Sequence, residues 1–267
     1  MNNPMIDPTA KISPTAVLGK NVNVGAYAIL GDQVHIGDGS VIKHHAIIDC
    51  NTKIGRECTV FPFASIGTDP QDVTFKGEET HVVIGDHNTI REFATINRGT
   101  AKGGGTTSLG DHNYLMAYAH VGHDCKIGNH TVIINGATLA GHVEVEDHVV
   151  ISAHSSVHQF VHIGRNAYIG GYSIVLQDIL PFAKVSQARE HYSLYGPNSI
   201  GMMRNGISRE FIYKVKDIFR IIFSSDLNTT QALERIQTLY PDSEEAKIIA
   251  SFIQKTRRGI LKNFVHK

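Results

Sequence analysis

The sequence predicts a mostly β chain, built as a parallel β-helix and followed by an α-helical C-terminal domain. Three observations carry that prediction. An Ile, Leu or Val falls on nearly every sixth residue from Ile6 to Val175, the residue four places after each is almost always small, and after residue 207 an apolar pattern at three- and four-residue spacing takes over. A helix repeats its apolar face about every 3.6 residues and a half-buried strand about every 2, so a period of six implies short strands separated by equivalent corners. Fixed repeats of this kind are the signature of a solenoid.

The anchors run from Ile6 through Ile12, Leu18 and Val24 to Ile66, and resume at Ile84, Ile90 and Ile96. They restart one residue out of phase at Leu109 and continue through Leu115, Val121, Leu139 and Val157 to Val175. The small positions, among them Ala28, Ala46, Cys58, Ala94, Ala119, Cys125 and Ala137, tolerate little volume and face a narrow interior. Gly19, Gly25, Gly31, Gly37, Gly55, Gly85, Gly110, Gly128, Gly164 and Gly170 follow their anchors directly, and are expected to supply positive φ at the corners. Three hexads then close one triangular coil. Each coil buries its anchors only by stacking on its neighbours, about 4.8 Å apart.

This scheme assigns residues 1–180 to the solenoid, with excursions at 67–83 and 97–108 where the beat is interrupted. The first keeps phase, and one side of one coil is pulled out as a loop. The second, NRGTAKGGGTTS, reads as a flexible tip, since no strand–GxxxxGK[ST]–helix context makes its glycines a phosphate cradle. Residues 181–207, with Pro181, Gly196, Pro197 and Gly206, read as a connector. Residues 208–267 read as helical. Ser208 caps a helix whose Phe211, Val215, Ile218, Phe219 and Ile222 share one face; Ser224 to Asn228 breaks it; a second helix runs from Thr229 to Leu239 and a third from about Ser243 to Arg257.

Composition narrows the class of protein. With 42% hydrophobic and 19% charged residues the chain is suited to a folded soluble protein rather than to disorder. No run of about 18 apolar residues offers a membrane span, and MNNPMIDPTAKI lacks the basic start and apolar stretch of a secretory signal, so the expected location is the cytoplasm. Cys50, Cys58 and Cys125 show no CxxC spacing and are expected to be reduced. Residues 1–180 carry 11 Lys+Arg against 17 Asp+Glu, whereas 181–267 carry 14 against 8. A modest basic excess in the tail suits a local acidic partner and not a nucleic acid, which calls for dense basic patches.

Sixteen histidines are present, and position within the hexad sorts them. His112, His130, His148 and His154 sit third after an anchor in polar corners and are expected to be solvated; His142 shares that place. In AHVGHDC, His120 precedes the anchor Val121, His123 follows it by two and Asp124 stands next. The separations from His123 to His142 and from His142 to His158 are close to one coil, so these residues are expected to stack on one edge, with Gly141 and Gln159 beside them. Imidazoles next to a carboxylate permit two chemistries. One is general base catalysis, with Asp124 fixing the tautomer of the ring. The other is a three-His zinc site with an open position, the arrangement of a hydratase.

The segments PQDVTFKGEET, IREFATINRGT, AHVGHDCKIGN, NGATLAGHV, VHQF and IGGYS, followed by a helical tail, resemble the UDP-N-acetylglucosamine O-acyltransferase family of hexapeptide-repeat acyltransferases. The resemblance spans the chain from the first hexad through the tail. It implies a left-handed coil, although right-handed crossovers are the general rule. It also implies transfer of a 3-hydroxyacyl chain from acyl carrier protein to the glucosamine 3-hydroxyl, the first step of lipid A synthesis, with no cofactor or metal. His123 matches the general base, Asp124 its orienting carboxylate, and Gly141 the glycine whose amide stabilises the oxyanion. Gln71, Asp72, His120, His142, His158, Gln159, Asn198 and Arg204 match substrate contacts. Gly171 matches the acyl-chain ruler, where glycine implies a long chain. The family's sites lie between subunits of a homotrimer.

The departures from the family pattern fall on the nucleotide side. Thr74 stands where a Lys is usual, with Lys76 two residues on; Ile200 replaces a usual acid and Asn205 a usual second Arg. A 3-amino acceptor sugar is therefore a competing expectation. On fold alone, a hexapeptide-repeat acetyltransferase or a zinc hydratase also competes. The related N-acyltransferase, which carries a uridine-binding domain ahead of its repeats, is disfavoured because hexads begin at Ile6. The tail residues Arg204, Arg209 and Lys216 are the candidate docking surface for acyl carrier protein.

Overall fold

We describe residues 3–188, 191–223 and 226–261 of a computed structural model. The hexads form a left-handed parallel β-helix whose three faces are sheets of eleven, nine and eight strands among the described residues, most of them two residues long. Neighbouring strands of a sheet are 18 residues apart, as in Met5↔Asn23 and Val121↔Leu139, so three hexads make one coil. The anchors fill the interior: Ile42, Ile48, Ile66, Ile96, Leu115, Val121, Leu139 and Ile151 are all fully buried. Each such side chain contributes about 1.5–3 kcal/mol relative to exposure, and together they hold the coil. The small positions Ala28, Ala64, Ala119, Cys125 and Ala137 are also fully buried.

Corner geometry differs from the expectation in one respect. None of the ten glycines that follow the anchors adopts positive φ; the left-handed positions are the residues third after each anchor, among them Tyr27, His45, Phe63, Tyr118, Asp124, His142 and Phe160, with φ between 53° and 68°. A left-handed L-residue costs about 1–2 kcal/mol, so something must offset twenty of them. Most corner N–H groups donate to a carbonyl of the preceding coil, as His130 to Asp111 and His142 to His123, both at 2.9 Å, while those of Tyr27, Gln33 and Asp124 donate to threonine hydroxyls. Their side chains also stack. His87, His112, His130 and His148 form one ladder with centroids 4.7–4.8 Å apart, so these corner histidines are structural rungs as well as solvated groups. The anchor-following glycines have a different cause. A Cβ on Gly37 would lie 2.5 Å from the carbonyl carbon of Gly55 in the next coil, so close approach of backbones, and not φ, requires glycine there.

Both interruptions are excursions from single coils. The step between paired strands widens to 30 residues at Thr59↔Thr89 and to 25 at Thr89↔Tyr114, so the coils are lengthened by 12 and 7 residues. Regular structure reaches further into each than the periodicity implied. Strands Ser65–Thr68 and His81–Ile84 leave 69–80 as the first loop. In the second, a 3-10 turn at Ala101–Gly103 precedes strand Thr106–Leu109.

The connector is also ordered where it was expected to be irregular. Ala183–Ala188 continues one sheet in parallel, and His191–Pro197 pairs with it antiparallel. Among the described residues four helices follow: α1 (Ser199–Arg204), α2 (Arg209–Phe223), α3 (Thr229–Leu239) and α4 (Glu244–Lys255). Ser208 Oγ accepts the Phe211 N–H at 3.2 Å, as its capping position predicted, while Ser224 and Ser225 of the expected break lie outside the described residues. The helices close over the end of the solenoid: Phe182 meets Phe211 edge to face at 5.4 Å, and His162 lies 4.4 Å from the Phe252 ring. Asp178 fastens the junction. Its fully buried carboxylate accepts the His162 N–H at 2.8 Å, the Arg257 and Arg258 N–H groups at 3.1 and 3.3 Å, and the Thr256 hydroxyl. Among the described residues no helix is long and apolar enough to cross a membrane.

The three cysteines are free thiols. Burial pushes the Cys125 thiol up to about 12 and raises Cys58, which removes both from thiolate chemistry near neutral pH.

Candidate active site

Pairing of Val121 with Leu139 and of Leu139 with Val157 aligns three corners on successive coils. This register corrects the expected stack by one residue. His123 lies over Gly141 and Gln159; Asp124 lies over His142 and Phe160; His158 continues the line of Gly122 and Ala140. All nine residues share one edge, but the imidazoles of His123, His142 and His158 occupy three different columns. His123 and His142 meet edge to face with centroids 5.1 Å apart, and His142 stacks on Phe160 at 4.5 Å.

His123 Nδ1 lies 2.8 Å from Asp124 Oδ2, and the Asp124 side chain is fully buried. A buried carboxylate demands hydrogen-bond donors, and here the 97–108 loop supplies them. The Thr100 N–H donates to Oδ1 at 2.8 Å and the Thr100 hydroxyl to Oδ2 at 2.7 Å, while the Asp124 N–H donates to Thr107 Oγ1 at 2.7 Å. A carboxylate so placed accepts from Nδ1–H of His123, which leaves the lone pair on Nε2. Gly103 lies flat against the same carboxylate, where a Cβ would fall 2.0 Å from its carbon. The glycine run is therefore not simply a flexible tip. Gly104 and Gly105, with positive φ and open space, turn the chain; Gly103 makes room for Asp124.

Gly141 fits the site for a related reason. A Cβ there would stand 2.4 Å from Cε1 and 2.6 Å from Nε2 of His123, so the imidazole rests directly on the glycine. Its carbonyl accepts from Phe160 N–H at 3.3 Å, while its N–H donates to no protein acceptor among the described residues.

Burial disfavours the charged form of two neighbouring histidines, His120 and His142. Burial lowers the His120 pKa, and its Nδ1 is 2.7 Å from Thr95 Oγ1. Burial also lowers His142, against the pull of Asp124, whose Oδ2 is 3.7 Å from its Nε2. His123, Asp124 and His142 bring potential ligand atoms within 4.8 Å of one another. That set has two imidazoles and a carboxylate, not three imidazoles. A metal would have to compete with three hydrogen bonds already made to the carboxylate, so the donor set favours proton transfer.

The first loop reaches towards this edge. Asp72 accepts from the Thr74 N–H and hydroxyl, both at 2.8 Å, which hold its carboxyl below the usual range, and its charge acts on both His123 and His142. Gln71 is exposed beside it. Where a Lys was expected, the Thr74 hydroxyl instead receives Lys102 Nζ from the second loop at 2.7 Å. A cation thus arrives at this point from a different segment. His158, half-buried, has Nδ1 3.1 Å from the Gln159 carbonyl oxygen, and Gln159 is exposed. Gly171 is exposed too, and a Cβ there would meet only the Ala153 carbonyl oxygen, at 3.3 Å.

Asn198 and Arg204 are not brought to this edge within the chain. Asn198 caps α1, accepting the Gly201 N–H at 3.2 Å and donating to the Asn166 carbonyl at 3.0 Å on a different corner of the coil. Arg204 is exposed, Ile200 is exposed, and Asn205 Nδ2 donates to Asn166 Oδ1 at 2.7 Å. Sequence reasoning missed Thr100, Gly103 and Thr107. The available signal was a threonine on either side of a glycine run, but their partner lies up to 24 residues away and meets them only when the coil closes.

A parallel β-helix of hexads, carrying on one edge an imidazole oriented by a buried carboxylate, defines a hexapeptide-repeat acyltransferase. Residues 15–50 and 106–141 match the sequence profile described as bacterial transferase hexapeptide, and residues 178–261 match domain 2 of UDP-N-acetylglucosamine O-acyltransferase. The acyl-(acyl-carrier-protein)-UDP-N-acetylglucosamine O-acyltransferase of Thermodesulfovibrio yellowstonii is 46% identical over 96% of this chain and 98% of its own length. Its counterpart from Alkalilimnicola ehrlichii is 43% identical over 96% and 99%. The solved structure of UDP-N-acetylglucosamine acyltransferase from Francisella novicida superposes with a TM-score of 0.94 at 37% identity, covering 96% of this chain and 94% of that one. The chain belongs to the UDP-N-acetylglucosamine O-acyltransferase family.

Proposed function

We propose that the protein transfers a long 3-hydroxyacyl chain from acyl carrier protein to the 3-hydroxyl of UDP-N-acetylglucosamine, the first step of lipid A synthesis. The observation that carries this reading is the His123 imidazole, oriented by a buried Asp124 and resting on Gly141. Nε2 of His123 removes the hydroxyl proton as that oxygen attacks the thioester carbonyl, and Asp124 stabilises the imidazolium. The Gly141 N–H, which has no protein acceptor among the described residues, binds the oxyanion. Collapse of the tetrahedral intermediate expels the carrier's thiolate, which takes the proton back from His123. Apart from the proton that His123 takes and returns, every bond made and broken belongs to the two substrates, so the chemistry requires no cofactor.

Gln71, Asp72, His120, His142, His158 and Gln159 surround this edge as acceptor and acyl contacts. Asn198 and Arg204 lie on another corner of the same coil, and in a homotrimer they complete the site of a neighbouring subunit. The exposed surface at Gly171 is the groove for the distal acyl chain. Gly171→Met should block about four methylenes of that groove, about 3 kcal/mol of apolar burial at ~0.8 kcal/mol each, and so lower kcat/KM for the long donor about a hundredfold relative to one four carbons shorter. A chain-length profile of the folded variant checks this; an unchanged profile would remove Gly171 from the ruler role.

For the carrier, the exposed Arg204 and Arg209, with Lys216 over the Tyr213 ring at 5.3 Å, supply the basic surface. Reversing Arg209 or Lys216 to Glu is expected to raise the donor KM several-fold, most at low salt, with acceptor KM unchanged. Insensitivity of donor KM to both reversals would move docking elsewhere. The direct test of the reaction is transfer from a panel of 3-hydroxyacyl carrier thioesters to UDP-N-acetylglucosamine and to its 3-amino analogue. Clear preference for the hydroxyl acceptor, undiminished by chelators, is expected; preference for the amine would overturn the acceptor assignment.

A further inference from the structure

Arg98 is a charged residue with 8% exposure, and the proton-transfer chemistry makes no use of it. It stands at the root of both excursions. Nη1 donates to the Gly67 carbonyl at 3.0 Å and to Cys50 Sγ at 3.4 Å, Nη2 pairs with the Asp69 carboxylate, and the guanidinium carbon lies 5.5 Å from the centroid of the Phe75 ring. Gly67, Asp69 and Phe75 all belong to the 65–80 stretch. The main chain adds to the hold: Arg98 N–H donates to the Thr68 carbonyl at 3.0 Å, and Gly99 N–H to the His81 carbonyl at 3.3 Å. Asn97 Nδ2 donates to Thr68 Oγ1 and to the Asp69 carbonyl at 3.1 and 2.8 Å. Both ends of the 69–80 loop are therefore fastened to one short segment.

Beyond these contacts the loop is held by Lys102 Nζ on Thr74 Oγ1 at 2.7 Å and by the buried Pro70 and Thr80 at its two ends. Val73 is fully exposed, and Gln71, Thr74 and Lys76 are exposed, so no apolar core of its own sets its position. A buried guanidinium is costly unless its donors are used; Nη1 and Nη2 of Arg98 are used while Nε has no partner among the described residues, so the hold rests on the two terminal nitrogens, whose contacts are directional. The catalytic carboxylate is held by other side chains: it accepts from the Thr100 N–H and hydroxyl, while the Asp124 main-chain N–H donates to Thr107 Oγ1. Loop position and proton transfer are thus governed by different side chains.

We propose that Arg98 is the positioning residue of the acceptor loop: it holds Gln71 and Asp72 at the His123 edge and so sets affinity for the acceptor sugar without touching it. The inference rests on the acyltransfer reading for its kinetic arm alone. Arg98→Met, Arg98→Lys and Asp69→Asn are to be compared with the wild type in the full-length protein. Asp69→Asn guards against misfolding, because the Asp69 side chain is 68% exposed. In Arg98→Met the acceptor KM should rise about tenfold to a hundredfold, with kcat within about threefold. Arg98→Lys should recover part of the loss, since it keeps the charge opposite Asp69 but not the planar fork. Amide exchange across 69–80 should quicken in Asp69→Asn and Arg98→Met while exchange in the 110–175 coils stays unchanged. Unchanged acceptor KM and loop exchange in folded variants would overturn the proposal, as would equal losses of kcat and melting temperature, which mark a merely structural role. If the wild type shows no transfer, the proposed reaction fails instead, and loop exchange alone still decides whether Arg98 is the clamp.

Discussion

Replacing His123 by Ala is expected to lower kcat by about 10²–10⁴-fold, the usual contribution of a positioned general base, while leaving the melting temperature nearly unchanged. The imidazole lies outside the interior; it stands on Gly141 and against the edge of His142. Its loss does not orphan the buried Asp124 carboxylate, because the Thr100 N–H and hydroxyl both remain. Stability should change by no more than about 1 kcal/mol, the common scale for a side chain removed without a cavity or an unpaired charge. The contrast with Asp124→Asn is informative. Position 124 is surrounded by donors, so an amide there turns an NH2 towards another donor, and both fold and rate should suffer. Steady-state kinetics with a thermal melt on His123→Ala is the decisive pair of measurements. Full activity in a folded protein would remove His123 from the mechanism.

What the sequence made legible followed from burial and spacing. The hexad beat is visible because each anchor must fill an interior only one side chain wide, as Ile66, Ile96 and Leu115 do. Helix α3 begins and ends at Thr229 and Leu239 as its pattern indicates, since Asn228 caps it through a reciprocal pair with Gln231. The corner glycines were misread because a sequence shows only that a residue is small. It does not distinguish a positive φ, carried here by Tyr27 or His142, from a close backbone approach, the cause at Gly37. The antiparallel pair Ala183–Ala188 and His191–Pro197 was hidden by Pro181 just ahead of it and by Gly196 and Pro197 at its end. The hold of Thr100 and Arg98 on residues 24 and 31 positions away was hidden by topology, for no local pattern encodes which loop lands on which corner.

Gly141→Ala separates two requirements of the site that coincide at one residue. Alanine keeps the backbone N–H, so the oxyanion donor survives in chemical terms. The added methyl instead occupies space the imidazole already fills, 2.4 Å from Cε1 and 3.0 Å from Nδ1 of His123. Contacts that short force the ring to move, and the 2.8 Å bond from Nδ1 to Asp124 cannot be kept if it swings outwards. A displacement of about 1 Å at a reacting group costs about 10²-fold, so kcat should fall by about that factor while acceptor KM stays close to wild type. The variant should fold, because Gly141 has no positive φ and a Cβ there meets a side chain at the edge, not the stacked backbone that constrains Gly37. A spectroscopic check is available through the His123 ring, whose Nδ1 proton should lose its hydrogen-bonded NMR resonance in step with the loss of kcat. If Gly141→Ala retained kcat within about threefold, the imidazole would have to work from a different rotamer, and the geometry assigned to the base would be wrong.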